Sequence, residues 1–399
     1  MQFRTDPRSG NRLSVLGLGC MRFSRNLIGI DLKKAEQIIL RAIKEGVNYF
    51  DAAYLYPGSE AALGKVLADS GLRKDVYIAT KLPIANCRHT EDFDRFLETQ
   101  LQSLQTDYID YYLMHNINSL QQWQELCSLG MEDWIKAQRA DGKIRQIGFS
   151  FHGTGDEFMK VLDAYDWDFC QIQYNYSDEN YQAGVTGLRK AAEKGIPVII
   201  MEPLLGGKLA TGLPREAESV FHRSNPDLTP AAWGLRWLLD QPEVTVILSG
   251  MNSEEQLTDN LKTADASSSG MLTAAEKEAY RQVVRIFRET DKIPCTGCGY
   301  CLPCPQGVNI PGCFAAYNSS YAMGRVVGFT QYITGTAANR AQNQLASRCI
   351  GCGKCESHCP QHIEIRKSLG DVKKRMEPFY FKAAMAVMRG RGKKPDAAQ

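Results

Sequence analysis

The sequence lacks a charge imbalance. Lys and Arg together number 47, and Asp and Glu number 45, so the formal net charge of the 399-residue chain is only +2. A protein that binds nucleic acid presents a basic field, and an acidic tail indicates a basic partner. One basic cluster, residues 389–394, is interpreted as a solvated tail. We therefore expect no nucleic-acid partner.

The sequence also lacks long apolar runs. No run approaches the ~18 residues that a membrane-spanning helix needs, so we expect no membrane span. The first ten residues, MQFRTDPRSG, contain no apolar segment of the signal-peptide type. These absences predict a cytoplasmic chain, where tight cysteine clusters bind metal more often than they form disulfides.

A Gly-x-Gly-x-x-Gly turn is missing after the first strand, because Gly17-Leu18-Gly19 is followed by Cys-Met-Arg-Phe. A doubly wound dinucleotide-binding sheet would need that turn. Eight strand-helix units are instead present between about residues 14 and 262, which is the size and rhythm of a (β/α)8 TIM barrel of about 250 residues. The fold class is predicted as α/β, a TIM barrel over residues 1–270. A helical linker and a small, mostly α-helical ferredoxin-like domain should occupy residues 271–399.

Several local expectations accompany this division. Residues 2–12 should form a hairpin that plugs the barrel floor. Residues 123–139 should form one helix, and residues 206–227 a less regular stretch. A helix over 273–289 should lead to the cysteine region, and residues 365–388 have an amphipathic helical pattern.

Four polar residues fall at neighbouring strand ends, where TIM barrels place their active sites. They are Asp51, Tyr56, Lys81 and His115. A tyrosine pKa near 10 is high for proton transfer at neutral pH, and a lysine cation lowers it by favouring the phenolate. A carboxylate positions the lysine, and a histidine can orient a carbonyl oxygen. Each residue alone has an ordinary structural explanation, whereas the set of four predicts catalysis.

The segment Phe50-Asp51-Ala52-Ala53-Tyr54-Leu55-Tyr56, followed by Gly58-Ser59-Glu60 and Gly64, resembles the aldo-keto reductase signature. Ile78 to Lys81, Asp107 to His115 and Gly142 to Ser150 resemble further blocks of that family. The resemblance covers about residues 10–265. It implies carbonyl reduction, or alcohol oxidation, with a nicotinamide. Tyr56 would be the general acid, Lys81 and Asp51 its tuning pair, and His115 the group that orients the carbonyl.

The resemblance is less complete around the cofactor. It implies contacts from Ser150, Gln171, Met201, Gly250, Asp259 and Asn260. Phe151 and His152 stand where the family has an asparagine, and Met201 where it often has an aromatic ring. Residues 249–256 contain no cation for a 2′-phosphate. NADPH, NADH and no nicotinamide at all therefore stay open.

Eight of the thirteen cysteines lie in two short runs. The second run, Cys-x2-Cys-x2-Cys-x3-Cys-Pro, is that of bacterial [4Fe–4S] ferredoxins, whereas zinc sites place their cysteine pairs farther apart. In two-cluster ferredoxins, which the runs resemble, the fourth cysteine of each run binds the other cluster. The resemblance implies two sets, one of Cys295, Cys298, Cys301 and Cys359, the other of Cys349, Cys352, Cys355 and Cys304. The alternative is that each run holds its own cluster.

The whole chain resembles the aldo-keto reductases that carry a C-terminal ferredoxin-type domain. The first hypothesis is a carbonyl reductase coupled to electron transfer through two [4Fe–4S] clusters, with a small carbonyl or alcohol substrate and a ferredoxin or similar electron partner. The second is a cluster-fed reductase or electron-transfer protein without nicotinamide chemistry. A non-catalytic docking barrel is the third. No flavin motif is found, although Gly206, Gly207 and Gly250 keep a flavin phosphate site open as an alternative.

Overall fold

The computed structural model describes residues 1–26, 29–336, 344–378 and 381. The chain divides into two compact units, a barrel unit (Met1–Leu204 and Ala231–Thr273) and a second unit (Leu205–Pro230 and Ala274–Gln399). The described strands are β1 Phe3–Thr5, β2 Arg12–Ser14, β3 Leu16–Gly19, β4 Tyr49–Asp51, β5 Tyr77–Leu82, β6 Ile109–Met114, β7 Ile144–Phe151, β8 Phe169–Gln173, β9 Val198–Met201 and β10 Val244–Ser249.

The described α-helices are α1 Leu32–Lys44, α2 Ser59–Ser70, α3 Thr90–Leu104, α4 Leu120–Ser128, α5 Met131–Ala140, α6 Gly155–Asp163, α7 Gly184–Glu193, α8 Arg215–Ser224, α9 Pro230–Leu239, α10 Glu254–Ala266, α11 Ala274–Thr290, α12 Ile310–Ala322, α13 Arg325–Thr336 and α14 Ile365–Met376. None of these helices combines the length and the apolar character needed to cross a membrane.

The predicted TIM barrel is confirmed. Strands β3 to β10 pair in parallel and close into a barrel in which β10 returns to β3. Barrel strands are apolar almost throughout because both of their faces are covered, and all six residues of β6 are buried. Aromatic rings fill the barrel interior, with Tyr111 packed between Tyr49 and Phe169 at centroid distances of 5.2 and 5.0 Å.

The predicted N-terminal hairpin is present as the antiparallel pair β1–β2. Its turn is tied to the barrel interior by Tyr111, whose hydroxyl donates to Asp6 Oδ2 at 2.9 Å and accepts from Asn11 Nδ2 at 3.0 Å. Leu13 at the end of the hairpin is fully buried in the inner core. The hairpin therefore closes the end of the barrel opposite to the carboxyl ends of its strands.

Two local predictions were wrong. Residues 123–139 form two helices, α4 and α5, because Gly130 adopts a left-handed conformation (φ 86°) that ends one helix and starts the next. The stretch predicted as irregular contains α8, whose apolar face packs on α11 through the Phe221 and Tyr280 rings, 5.6 Å apart. That packing places residues 205–230 in the second unit, whereas the sequence suggested one continuous boundary near residue 270.

The second unit has its own core around the helices predicted beside and between the cysteine runs. Phe314 of α12, Tyr332 of α13 and Leu369 of α14 are almost fully buried in it. Helix α12 begins with the Asn309 side chain, which accepts from the Gly312 amide at 3.1 Å. Helix α14 ends at Met376, earlier than the sequence suggested, and residues 382–388 of that prediction and the basic tail lie outside the described residues.

Candidate active site and cluster sites

The structure brings Asp51, Tyr56, Lys81 and His115 together at the carboxyl ends of β4, β5 and β6. Lys81 Nζ donates to Asp51 Oδ1 at 2.6 Å and to the Ala52 carbonyl at 2.8 Å. The Tyr56 ring centroid lies 5.1 Å from Lys81 Nζ and 5.9 Å from the His115 ring, which stands perpendicular to it. Tyr56 is half-buried while the other three are buried. The cation therefore lies between a carboxylate and a partly exposed phenol.

A buried polar network holds Lys81 through its backbone carbonyl. Gln100 of α3 donates from Nε2 to the Lys81 carbonyl at 3.0 Å and to Glu60 Oε1 at 2.8 Å. Thr80 also donates to Glu60 Oε1, at 2.5 Å. Burial raises the pKa of Glu60, which the hydrogen bonds from Thr80 and Gln100 and the Lys81 charge partly oppose. The network joins α2 and α3 to β5, so the lysine is held by residues that do not touch the open site.

His115 is held neutral. Burial, the Lys81 cation and neighbouring His152 keep the pKa of His115 well below its ordinary value. A neutral imidazole carries one N–H, which can donate to a carbonyl oxygen without introducing a second cation. The following residue, Asn116, has a left-handed backbone (φ 60°), and its amide donates to Ser150 Oγ at 2.9 Å. This links the end of β6 to Ser150 of β7.

Gln171 of β8 fits the carboxamide of a nicotinamide. Its Nε2 donates to Asp51 Oδ2 at 3.0 Å. Its Oε1 is buried and has no hydrogen-bond partner among the described residues. A buried acceptor left without a donor is costly, and a ligand amide placed at this strand end would satisfy it. The residues present therefore fit a nicotinamide at the carboxyl end of the barrel.

Two residues that depart from the family pattern, Phe151 and Met201, and two that match it, Asp259 and Asn260, have defined structural positions. Phe151 is fully buried and packs against Phe158 of α6, 5.1 Å between centroids, so it faces the helix layer. Met201 is half-buried and packs against the inner barrel core. Asn260 donates to Ser249 Oγ at 2.8 Å, while Asp259 is half-buried on the same helix, α10. None of these positions offers an aromatic face to a ring.

A cation that the sequence did not reveal lies next to Gly250. A Cβ at Gly250 would lie 3.1 to 3.3 Å from three side-chain carbons of Arg22, which follows β3. The absent side chain at 250 therefore leaves space for the stem of Arg22. Asn252 Nδ2 also donates to the Arg22 carbonyl at 3.2 Å. Arg22 and Gly250 are 228 positions apart in the sequence, so no local motif links them.

A second missed feature is a chain of amides behind His152. His152 Nδ1 lies 3.2 Å from Gln182 Oε1, and Gln182 Nε2 donates to Gln173 Oε1 at 3.2 Å. Gln173 Nε2 then donates to Asp178 Oδ2 at 3.2 Å. The order of donors fixes the imidazole proton on Nδ1. His152 therefore supplies polarity beside His115, where Phe151 supplies none.

In the second unit the cysteines border two cavities. Four of them line one cavity, namely Cys295, Cys298, Cys301 and Cys359. Four others line the second cavity, namely Cys304, Cys349, Cys352 and Cys355, and Cys301 also reaches it. The fourth cysteine of each run thus borders the cavity of the other run.

Burial and the neighbouring cysteines raise the pKa of two thiols in the first cavity. The pKa of Cys295 is raised to about 11 and that of Cys301 to about 12, with burial as the largest cause. Such thiols become thiolates when a cationic cluster is bound. Lys208, which forms an ion pair with Asp291, acts in the opposite direction on Cys295. Of the five cysteines outside the two runs, Cys20, Cys87, Cys170 and Cys313 are buried, and Cys127 is half-buried.

A parallel barrel with these polar strand ends, followed by two cysteine-lined cavities, is the arrangement of an oxidoreductase with a ferredoxin-type domain. The family model for the Aldo/keto reductase family matches residues 15–276, and that for the 4Fe-4S dicluster domain matches residues 294–364. The chain belongs to the aldo/keto reductase family.

Individual relatives agree with this assignment. The uncharacterized oxidoreductase YrpG of Bacillus subtilis is 28% identical and is matched over 72% of this chain and 96% of its own length. L-galactose dehydrogenase of Arabidopsis thaliana is 26% identical over 71% and 96%. A Klebsiella pneumoniae aldo-keto reductase solved in complex with NADPH has a TM-score of 0.60 and 22% identity, over 71% of this chain and 96% of that one, and shows the shared fold.

Proposed function

We propose that the barrel reduces a small-molecule carbonyl, or oxidises the corresponding alcohol, with Tyr56 as the proton donor. The observation that carries the proposal is the Lys81 cation, which lies 2.6 Å from Asp51 and 5.1 Å from the Tyr56 ring centroid. The cation favours the phenolate, so Tyr56 can release and regain its proton. Neutral His115 donates a hydrogen bond that orients the carbonyl oxygen toward Tyr56.

A bound NADPH supplies the hydride in this proposal. Gln171 would hold the carboxamide through its unpaired Oε1, with Ser150 as a second contact. Met201 would lie beside the ring, and Asp259 and Asn260 on the adenine side. Arg22 and Gly250 together would provide the 2′-phosphate contact that residues 249–256 lack. The NADPH-bound relative from Klebsiella pneumoniae supports the choice of cofactor.

The second unit is proposed to carry two [4Fe–4S] clusters with exchanged fourth ligands. One cluster would take Cys295, Cys298, Cys301 and Cys359, and the other Cys349, Cys352, Cys355 and Cys304. The cavity linings support this scheme over one in which each run holds its own cluster. A cytoplasmic location is part of the proposal, because eight thiols must stay reduced to bind iron.

Tyr56→Phe tests the catalytic assignment. The variant keeps the ring contacts and loses the proton donor, so NADPH-dependent reduction of a carbonyl panel should fall by about 10²–10⁴-fold. Tyr54→Phe, an exposed neighbour in the same turn, is the matched control. Retained carbonyl reduction in Tyr56→Phe would show that the assignment is wrong.

A cluster-fed reductase without nicotinamide is the second candidate, favoured by Phe151 and Met201 at the positions where the family grips the cofactor. Anaerobic titration separates the two. The first function requires NADPH binding to the purified protein, seen as a shift in nicotinamide fluorescence. Cluster reduction by dithionite together with no NADPH binding would select the second candidate.

A further inference from the structure

The region that contains the two cysteine runs has a larger net positive charge than the whole chain. Residues 295–378 contain nine Lys and Arg against four Asp and Glu, a net charge of +5. The chain as a whole is +2, so the remaining residues carry −3. A charge imbalance of this kind between two parts of one chain indicates a partner for the charged part.

Three of the four acidic residues of this region are paired with cations of the same region, so the remaining cations carry its net positive charge. Glu356 pairs with Arg366 at 2.8 Å, Glu364 with Lys367 at 2.8 Å and Asp371 with Lys374 at 3.5 Å. The fourth, Glu377, accepts a hydrogen bond from the Ser347 amide at 3.1 Å. Among the described residues, five cations of the region make no ion pair, namely Arg325, Arg348, Lys354, Lys373 and Arg375.

Two of these cations lie at the second cavity. Lys354 is exposed and lines the cavity together with Cys352 and Arg366. Arg348 directly precedes the second run, and its Nε donates at 2.8 Å to the carbonyl of Gln306, another lining residue. Two cations without an ion-pair partner among the described residues therefore lie at or next to the cavity that Cys352 lines.

The same cavity is lined by a cysteine that is exposed to solvent. Cys352 is the exposed member of the eight run cysteines, the other seven being partly covered. Ile350, 66% exposed, and Leu302, 43% exposed, line the same cavity. We call Leu302, Arg348, Ile350, Cys352 and Lys354 the docking face. It combines two exposed apolar side chains and two cations with the exposed Cys352, and protein interfaces combine apolar and charged side chains in this way.

We propose that the docking face binds an acidic one-electron carrier protein. The proposal rests on the two [4Fe–4S] clusters of the proposed function, which would exchange single electrons. Electron tunnelling weakens steeply with distance, so a carrier must approach the cluster at its exposed ligand, Cys352. One electron leaves the reduced carrier and enters this cluster, and no bond is made or broken. The two cations select an acidic carrier and speed the encounter, and the two apolar side chains suit a transient complex.

The test uses the holoprotein with both clusters and a reduced plant-type [2Fe–2S] ferredoxin, an acidic protein, as the probe. Anaerobic stopped-flow absorbance gives the second-order rate constant of electron transfer at low and high salt. We expect the wild-type rate constant to fall as salt rises, because screening removes the attraction. Lys354→Glu should lower it at least about tenfold at low salt, and the two proteins should converge at high salt.

Lys33→Glu is the matched control, since it makes the same charge change at an exposed position of α1 in the barrel unit and should leave the rate constant unchanged. Dithionite, which needs no docking face, should reduce both clusters fully in every variant. If Lys354→Glu loses its cluster, Arg348→Glu and Lys354→Gln carry the same expectation with smaller disturbance of the cavity.

A wild-type rate constant that does not fall with salt, or equal rates in Lys354→Glu and Lys33→Glu, would overturn the proposal. So would binding of a random single-stranded oligonucleotide at physiological salt that Lys354→Glu abolishes while ferredoxin reduction persists. Failure of the proposed function is recognised separately, because clusters that dithionite does not reduce exclude electron transfer whatever the docking face binds.

Discussion

Replacing Lys81 by methionine separates a catalytic role of this lysine from a structural one. Its side chain is 1% exposed and donates to the buried Asp51 carboxylate at 2.6 Å. In Lys81→Met that carboxylate keeps only the Gln171 hydrogen bond. Removal of one partner from a buried ion pair costs about 3–5 kcal/mol, so the free energy of unfolding of the barrel unit should fall by that amount.

The double variant Lys81→Met, Asp51→Asn removes both charges. The double variant leaves no unpaired charge buried, and the unpaired charge is the main cost in the single variant, so most of the lost stability should return. Carbonyl reduction should stay about 10²–10⁴-fold below wild type, equivalent to about 2.7–5.4 kcal/mol of activation free energy. Stability and activity therefore move apart in the double variant.

Denaturant titration followed by tryptophan fluorescence measures the stability, because all five tryptophans lie within the barrel unit. NADPH consumption with a carbonyl substrate measures the activity. Lys65→Met, which removes an exposed cation paired with Asp69 on α2, is the control and should change both by little. If the double variant regained activity together with stability, Lys81 would act only through the structure.

Three further predictions concern other parts of the molecule. Between pH 7 and 5 the unfolded chain protonates His115 near its ordinary pKa of about 6.5, whereas the folded chain keeps it neutral. The free energy of unfolding should therefore fall with falling pH, by up to about 1.4 kcal/mol per pH unit more in wild type than in His115→Asn. Denaturant titration at several pH values measures this difference. Arg22→Ala should raise KM for NADPH at least about tenfold and leave KM for NADH nearly unchanged in steady-state kinetics. Cys304→Ala should damage the cluster beside Cys352 and spare the other one by electron paramagnetic resonance, and Cys127→Ala should spare both; loss of the other cluster instead would contradict the exchanged ligands.

The strand-end residues were predictable because parallel strands end at one edge of a barrel whatever their loops do. Asp51, Lys81 and His115 are each fixed by a strand that the sequence marks clearly, and the interior distances follow from barrel closure. Gln171 could be placed by the same logic. The sequence could not show that Gln171 Oε1 has no hydrogen-bond donor among the described residues, because this depends on the orientations of the Asp51 carboxylate and the Gln171 amide.

The missed features all depend on contacts between loops or between helices. Arg22 and Gly250 follow the paired strands β3 and β10, and the glycine leaves space for the Arg22 side chain, but no sequence motif links the two positions. Gln182 meets His152 through the loop before α7, which begins only at residue 184. Helix α8 was hidden because its apolar positions Ala217, Val220 and Phe221 are few and its partner α11 is more than fifty residues away.

Electron counting relates the two chemistries of this chain. A hydride carries two electrons that move together, whereas each [4Fe–4S] cluster exchanges one electron. Two clusters could therefore hold as many electrons as one hydride, but they would transfer them one at a time. In the proposed function, Tyr56 would move a proton and His115 would orient a carbonyl, and neither side chain would exchange a single electron. One stretch of the chain runs from the barrel unit into the second unit. The chain passes from Met201 at the end of β9 directly into residues 205–230, where Lys208 pairs with Asp291 and acts on Cys295. One continuous chain segment therefore joins Met201, at the proposed nicotinamide site, to Lys208 in the second unit.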